Sequence, residues 1–414
     1  MRDWFWRHGG SLAAFALPGV ALWVPSGYSW GAAWLLLCAL VCARGWWGRQ
    51  VDPATARLAL LIAVMALLWG VDTGPHPGFA PPENTLKYLA ALPCLAFAVA
   101  APPRPNALWA GLAVGGIGSG VLALVQRYGL HLDRAHGFTN EVQFGDLSLL
   151  LGLMALAALA ALWYARSWAW RFLLGLGGLL GLLGSLLSQT RGGWLALVLA
   201  APVLGVALAR RGHAAQAGKL ALALAATLLL AWPLVHTELT VRLERISTEV
   251  HAYDVQRDAD TSIGQRLEHW QLAAHMGADR PLLGWGGDYM EEKARRVAAG
   301  QARTGVLQYF HAHNELLDMF ARRGLVGVAL LLLYMLVPLA LFWPTPARVH
   351  GADGGIDQVR LALCLTGILL PLAYLGFGLT QVFFAHNSGH MVYLFMLVIV
   401  HAALTGARDV KMPH

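Results

Sequence analysis

His311-Ala312-His313-Asn314-Glu315-Leu316-Leu317-Asp318-Met319-Phe320, followed by Arg322-Arg323-Gly324, closes a polar stretch at residues 237–322 and leads straight into an apolar run. That stretch carries 13 of the 23 Asp and Glu residues. The rest of the chain is different in kind. Overall it is 57% hydrophobic and 13% charged, whereas a soluble domain has about 25% charged residues. Apolar runs of about 20 residues recur along it, the length that crosses a bilayer as a helix. They are continuous and rich in Leu and Ala, with no alternation of inward and outward residues. Helices, not barrel strands, are therefore the way they satisfy their backbones in hydrocarbon.

The fold class is all-α and polytopic. About twelve spans fit, at 9–25, 29–47, 54–72, 84–101, 106–127, 144–164, 171–189, 192–209, 218–236, 323–343, 359–380 and 386–406. This divides the chain into helices 1–9 (residues 1–236), one long loop (237–322) and helices 10–12 (323–414). With the N-terminus in the cytoplasm, the short loops and ends on that side hold 15 Lys and Arg, and the opposite short loops hold four: Lys87, Arg127, Arg134 and Arg191. That bias sets the orientation and puts the long loop outside, in the periplasm of a two-membrane host, with both termini inside. The start of the chain shows no Ala-x-Ala cleavage pattern, so no removable signal peptide is expected. Cys38, Cys42, Cys94 and Cys364 all lie in apolar runs without a Cys-x-x-Cys pair, and read as small buried hydrophobes. The net charge of +7 follows from these arginines and is no sign of nucleic-acid binding.

Within the long loop, Leu239–Val250 has helical spacing. Gly264–Met276 reads as an amphipathic helix with Leu267, Trp270 and Ala274 on one face. Arg280–Gly287 reads as a turn region.

Two points could carry chemistry. Thr190-Arg191-Gly192-Gly193-Trp194 interrupts two apolar runs. Arg191 is either a snorkelling helix-end arginine or, with the amides of Gly192 and Gly193 opening the next helix, an anion site. His313 is either solvated or a general base, since an ordinary imidazole is mostly neutral near pH 7. Asp318 and Arg322, four apart with the acid first, favour a helix leading from His313 into the membrane. His311-x-His313 lacks carboxylate neighbours at ligand spacing, so no metal is expected. The first outer loop, Pro25–Trp30, has no acid to hold a divalent ion. Lys87, at the outer mouth of span four, and Arg266 complete the cationic candidates.

Ser188-Gln189-Thr190-Arg191-Gly192-Gly193-Trp194, a long outer loop, and His313-Asn314-Glu315 followed by Gly324 and an apolar span together resemble the O-antigen ligase family. The superfamily also includes O-antigen polymerases and protein O-oligosaccharyltransferases. The resemblance implies a GT-C-like glycosyltransferase architecture in the bacterial inner membrane. It implies transfer of a preassembled glycan from undecaprenyl diphosphate to a sugar hydroxyl of lipid A–core at the periplasmic face, without metal or other cofactor. It implies His313 as base and Arg191 as diphosphate ligand. Gly264-Gln265-Arg266-Leu267 is the best local match to a further family arginine, and Lys87 is a further expected donor contact. Direct displacement would invert the anomeric carbon. A transporter or flippase is the reading from another class. Such a protein is expected to place charges near mid-membrane and to show repeated halves. Here the charges gather at one face, and the halves do not match.

Overall fold

The computed structural model describes residues 1–71, 82–190, 192–219, 262–351 and 353–409, with isolated positions 221, 225 and 229. Among the described residues the chain is helical, apart from one isolated bridge between His350 and Ile356. The long helices are α1 (Arg2–Val20), α2 (Gly27–Val41), α3 (Pro53–Val71), α4 (Pro82–Ala100), α5 (Pro105–Leu124), α6 (Glu141–Leu162), α7 (Trp168–Leu187) and α8 (Gly192–Ala209). After the polar segment's α9 (Ser262–Asp279) and α10 (Tyr289–Ala298) come α11 (Glu315–Phe342), α12 (Gln358–Gly378) and α13 (Asn387–Asp409). Eight of these, α3, α5–α8 and α11–α13, are long and apolar enough to cross a membrane. The protein is an all-α polytopic membrane protein. Helices α1, α2 and α4 stand where three more spans are expected; α2 is shorter and ends at Val41, before Cys42. The ninth expected span and the Leu239–Val250 patch lie outside the described residues.

Helices α6 and α12 form the centre. Each is 94% buried across its apolar window, against 39% for α3 and α8. A helix that is apolar all round can be enclosed on every side. Contact is closest between α5 and α7, where small residues let the backbones meet. A Cβ on Gly116 would overlap the carbonyl of Gly177. The four cysteines are buried, as their apolar surroundings predict, and none is in a disulfide.

Three loops meet at one end of this bundle. The segment after α5 folds back through Ala135 N–H to Leu187 O (3.1 Å) and Arg134 Nε to Ser188 O (2.9 Å). The α7–α8 hairpin is tied to the start of α6 by Thr190 Oγ1, which donates to Glu141 O (2.9 Å). The α12–α13 connection packs against the hairpin. Its Thr380 lies against Gly192, where a Cβ would overlap the Thr380 hydroxyl.

The expected span 323–343 is only the second part of α11. The helix begins at Glu315 and breaks at Gly324 (φ 63°, ψ −160°), a conformation that glycine adopts without penalty. The first part runs from the C-terminal end of α12, where Glu315 packs on Gly378, to that of α3, where Arg323 lies 4.3 Å from the Trp69 ring centroid. At the break the helix bonds are lost. Leu325 N–H and Val326 N–H instead donate to Pro281 O (2.7 Å) and Leu282 O (3.2 Å). This meets the rule that buried backbone groups find partners. Arg280–Gly287 is the turn that the sequence predicts, with Gly284 and Gly286 at φ 65° and 51°.

Candidate active site

The residues around His313 are fixed by side chains rather than by regular structure. Asn314 caps α11 by accepting from Leu317 N–H (3.0 Å), and its Nδ2 donates to Leu379 O (3.0 Å). The Glu315 carboxylate accepts from Phe383 N–H (2.6 Å) and Phe384 N–H (3.2 Å). Asp318 accepts from Ala312 N–H (2.9 Å) and pairs with Arg322 Nε (3.0 Å), the helical pair read from the sequence. His313 is thereby held at φ 53°, in the left-handed region uncommon for a residue with a Cβ.

Among the described residues, the ring of His313 makes one side-chain hydrogen bond. Its Nδ1 is 3.2 Å from Gln381 Oε1, which also accepts from Val382 N–H at 3.0 Å. An atom accepting a backbone N–H must be the amide oxygen, so Nδ1 is the protonated nitrogen and Nε2 keeps its lone pair. Tyr309, His311 and His269 surround the imidazole, with ring centroids at 4.7, 4.5 and 5.4 Å. Burial, then the Arg266 charge, pushes the His313 imidazole down to about 4, with the Gln381 hydrogen bond acting the other way. His311 and His269 are each pushed down to about 3, chiefly by burial. All three are neutral at pH 7. His313 therefore keeps an accepting nitrogen well below the ordinary imidazole range near 6.5.

Behind His269 lies Lys293, fully buried. Its ammonium donates to Tyr309 O (2.8 Å) and lies 3.5 Å from His269 Nδ1. Burial pushes its value down to about 8. No ion pair links it to a carboxylate among the described residues. An ammonium only donates, so His269 Nδ1 accepts and Nε2–H carries the ring proton. Among the described residues that Nε2 is buried with no hydrogen-bond partner.

Arg266 sits on α9, in electrostatic reach of His313, Tyr309 and Asp146. Burial lowers its value, while Asp146 and then Tyr309 raise it. Asp146 is a fully buried carboxylate on α6, so close to Gly193 that a Cβ there would overlap it. The buried side of α9 is His269, Leu272, Ala273 and Met276. The expected face of Leu267, Trp270 and Ala274 is only half-buried. Polarity is the reason: His269 turns inward to Lys293 and Tyr309, a partnership that an apolar-face reading cannot see.

Lys87 is brought to the same end, with its ammonium engaged. It donates to Asn84 Oδ1 (2.9 Å) and to Asn387 Oδ1 at the start of α13, and pairs with Glu83 (3.7 Å). Arg191 lies outside the described residues, but its neighbours do not. Gly192 packs on Thr380 and His313 bonds Gln381, so the two motifs converge on adjacent residues of one loop. The sequence reading missed Gln381, His269, Lys293 and Asp146. Only Asp146 left a signal, as an acid inside an apolar run. Among the described residues, no three His, Cys, Asp or Glu side chains converge as metal ligands.

Residues 176–332, which span α8, the polar segment and the break in α11, match the family model described as O-antigen ligase. That region belongs to the O-antigen ligase superfamily, whose members are membrane enzymes of glycosyltransferase type. A protein of Haemophilus influenzae, itself described only as uncharacterized, is 23% identical over 316 residues, 75% of this chain and 76% of that one.

Proposed function

We propose that this chain is an O-antigen ligase. It transfers a preassembled glycan from undecaprenyl diphosphate to a sugar hydroxyl of lipid A–core at the periplasmic face of the inner membrane. The observation that carries the reading is the His313–Gln381 contact, which leaves Nε2 as a neutral acceptor on a ring within electrostatic reach of Arg266. Nε2 takes the proton of the acceptor hydroxyl. The oxygen attacks the anomeric carbon from the face opposite the diphosphate, the C–O bond to phosphate breaks, and the configuration inverts. Undecaprenyl diphosphate leaves with the electron pair, and Arg191 and Arg266 stabilise its growing charge by paired hydrogen bonds. Lys87 adds positive charge at the rim and ties α4 to α13. No metal or other cofactor has a step in this scheme.

The purified enzyme, reconstituted with a polyprenyl-diphosphate glycan, tests the reading. It is offered lipid A–core, a second glycan-lipid or a protein acceptor. Glycan on lipid A–core is the expected product. Lengthened polyprenyl-linked glycan would instead make it a polymerase, glycosylated protein would make it a protein O-oligosaccharyltransferase, and no transfer to any of them would refute the proposal.

A further inference from the structure

The turn Arg280–Gly284 presents two large apolar side chains outward. Leu282 is 66% and Leu283 is 71% exposed. Elsewhere in the polar segment an exposed leucine would need no explanation. These two differ because their backbone is bonded to the first residues after the α11 break. Leu325 N–H donates to Pro281 O and Val326 N–H to Leu282 O. Close approach makes this possible. A Cβ on Gly324 would overlap Leu282, and one on Gly284 would overlap the Arg322–Arg323 peptide.

Leu325 and Val326 are themselves 54% and 44% exposed, at the head of a span whose apolar window has hydropathy 2.7. Exposed side chains there face lipid. The backbone bonds and the close approach at Gly324 set the exposed Leu282 and Leu283 next to the head of that surface. The rim has the composition of a membrane interface. Arg280 lies over the Trp285 ring at 3.8 Å, and Asp288 is 3.8 Å from Arg280. An aromatic with a cation at headgroup level is the common anchor of membrane proteins.

The geometry points to the Pro281–Leu283 turn as a membrane seat. Its leucines enter the boundary of headgroups and acyl chains in the leaflet on the side of the polar segment, with Arg280 and Trp285 at headgroup level. Burying two leucines favours this position by the hydrophobic effect. Because the same turn holds the break in α11, the seat fixes the height above the lipid of the helix that begins at Glu315, next to His313. The inference rests on the membrane-spanning surface of α11 and stands whichever acceptor the enzyme uses.

Spin-label accessibility in proteoliposomes tests it. The four native cysteines are buried, so one introduced cysteine can be labelled in the full chain. Nitroxides are placed by Leu283→Cys, by Leu325→Cys as a lipid reference and by Ala299→Cys as a water reference, and are probed with oxygen and a water-soluble nickel chelate. The label at 283 should favour oxygen over nickel, as at 325. Nickel access as at 299 would show the turn in water. Protection from both reagents would show a protein or glycan cover. Either result overturns the proposal.

Discussion

The two ends of the bundle use the same residue types to opposite effect. At the end away from the site, polar groups close upon each other. Arg360 donates to Ala407 O through Nε (3.1 Å) and NH2 (2.9 Å) and to His350 O (2.9 Å), and pairs with Asp357 (3.3 Å). His401 Nε2 is 2.8 Å from Thr55 Oγ1, which in turn donates to Asp52. At the site end one nitrogen of the His313 imidazole is fixed by Gln381, and among the described residues the other has no hydrogen-bond partner. Buried Lys293 faces an imidazole and a carbonyl rather than a carboxylate. A closed network holds helices together. One left unclosed, buried and within reach of Lys293 and Arg266, is suited to a ligand that brings negative charge.

The contrast breaks most readily at the histidines. His313→Ala should lower transfer by about 10²–10⁴-fold, the usual cost of losing a general base. Donor binding should stay near normal, because arginines hold the diphosphate. His401→Ala should leave the rate per folded molecule unchanged. Equal losses in both variants would erase the distinction between the ends. His311→Ala should remain active, because its Nδ1 only accepts the His313 N–H at 3.4 Å.

Arg360→Ala should act on stability alone. It strands the Ala407 and His350 carbonyls, and bonds to a charged group contribute about 1.5–3 kcal/mol. Thermal unfolding in detergent should shift down while turnover at low temperature holds; a lost turnover with unchanged unfolding would place chemistry at the wrong end. The smallest effect belongs to Gln381→Ala. Without the amide oxygen, His313 can adopt the other tautomer, and transfer should fall by roughly tenfold with little change in donor affinity. An unchanged rate would show that the tautomer is set by something else.

Much of the fold could be read from the sequence because lipid demands long apolar helices. The arrangement could not. Helices α3 and α6 have the same mean hydropathy, 2.0, yet 39% of one and 94% of the other is buried. Lipid tails are as apolar as a protein interior, so hydropathy identifies a span without saying what surrounds it. His313 was legible because it stands in a motif before a capped helix. Gln381, which orients it, is 68 residues away in sequence and announces nothing. The Gly324 break was visible only as a glycine at the edge of a span; its meaning comes from the turn bonded to it. The depressed value of His313 was also hidden. An ordinary imidazole would lose its accepting nitrogen near pH 6.5, and burial, then the Arg266 charge, moves that loss to about 4.

The pH dependence of kcat/KM for transfer, which reports groups of the free enzyme, is the direct test of His313 as base. A lowered value keeps the base competent above it and removes activity as pH falls through it. Wild type should therefore hold its rate through pH 6 and lose it on an acid limb centred near 4. His313→Ala should be slow throughout and lack that limb, while binding the lipid-linked donor normally. A limb that persists in His313→Ala, or a variant that keeps the wild-type rate, would contradict the account.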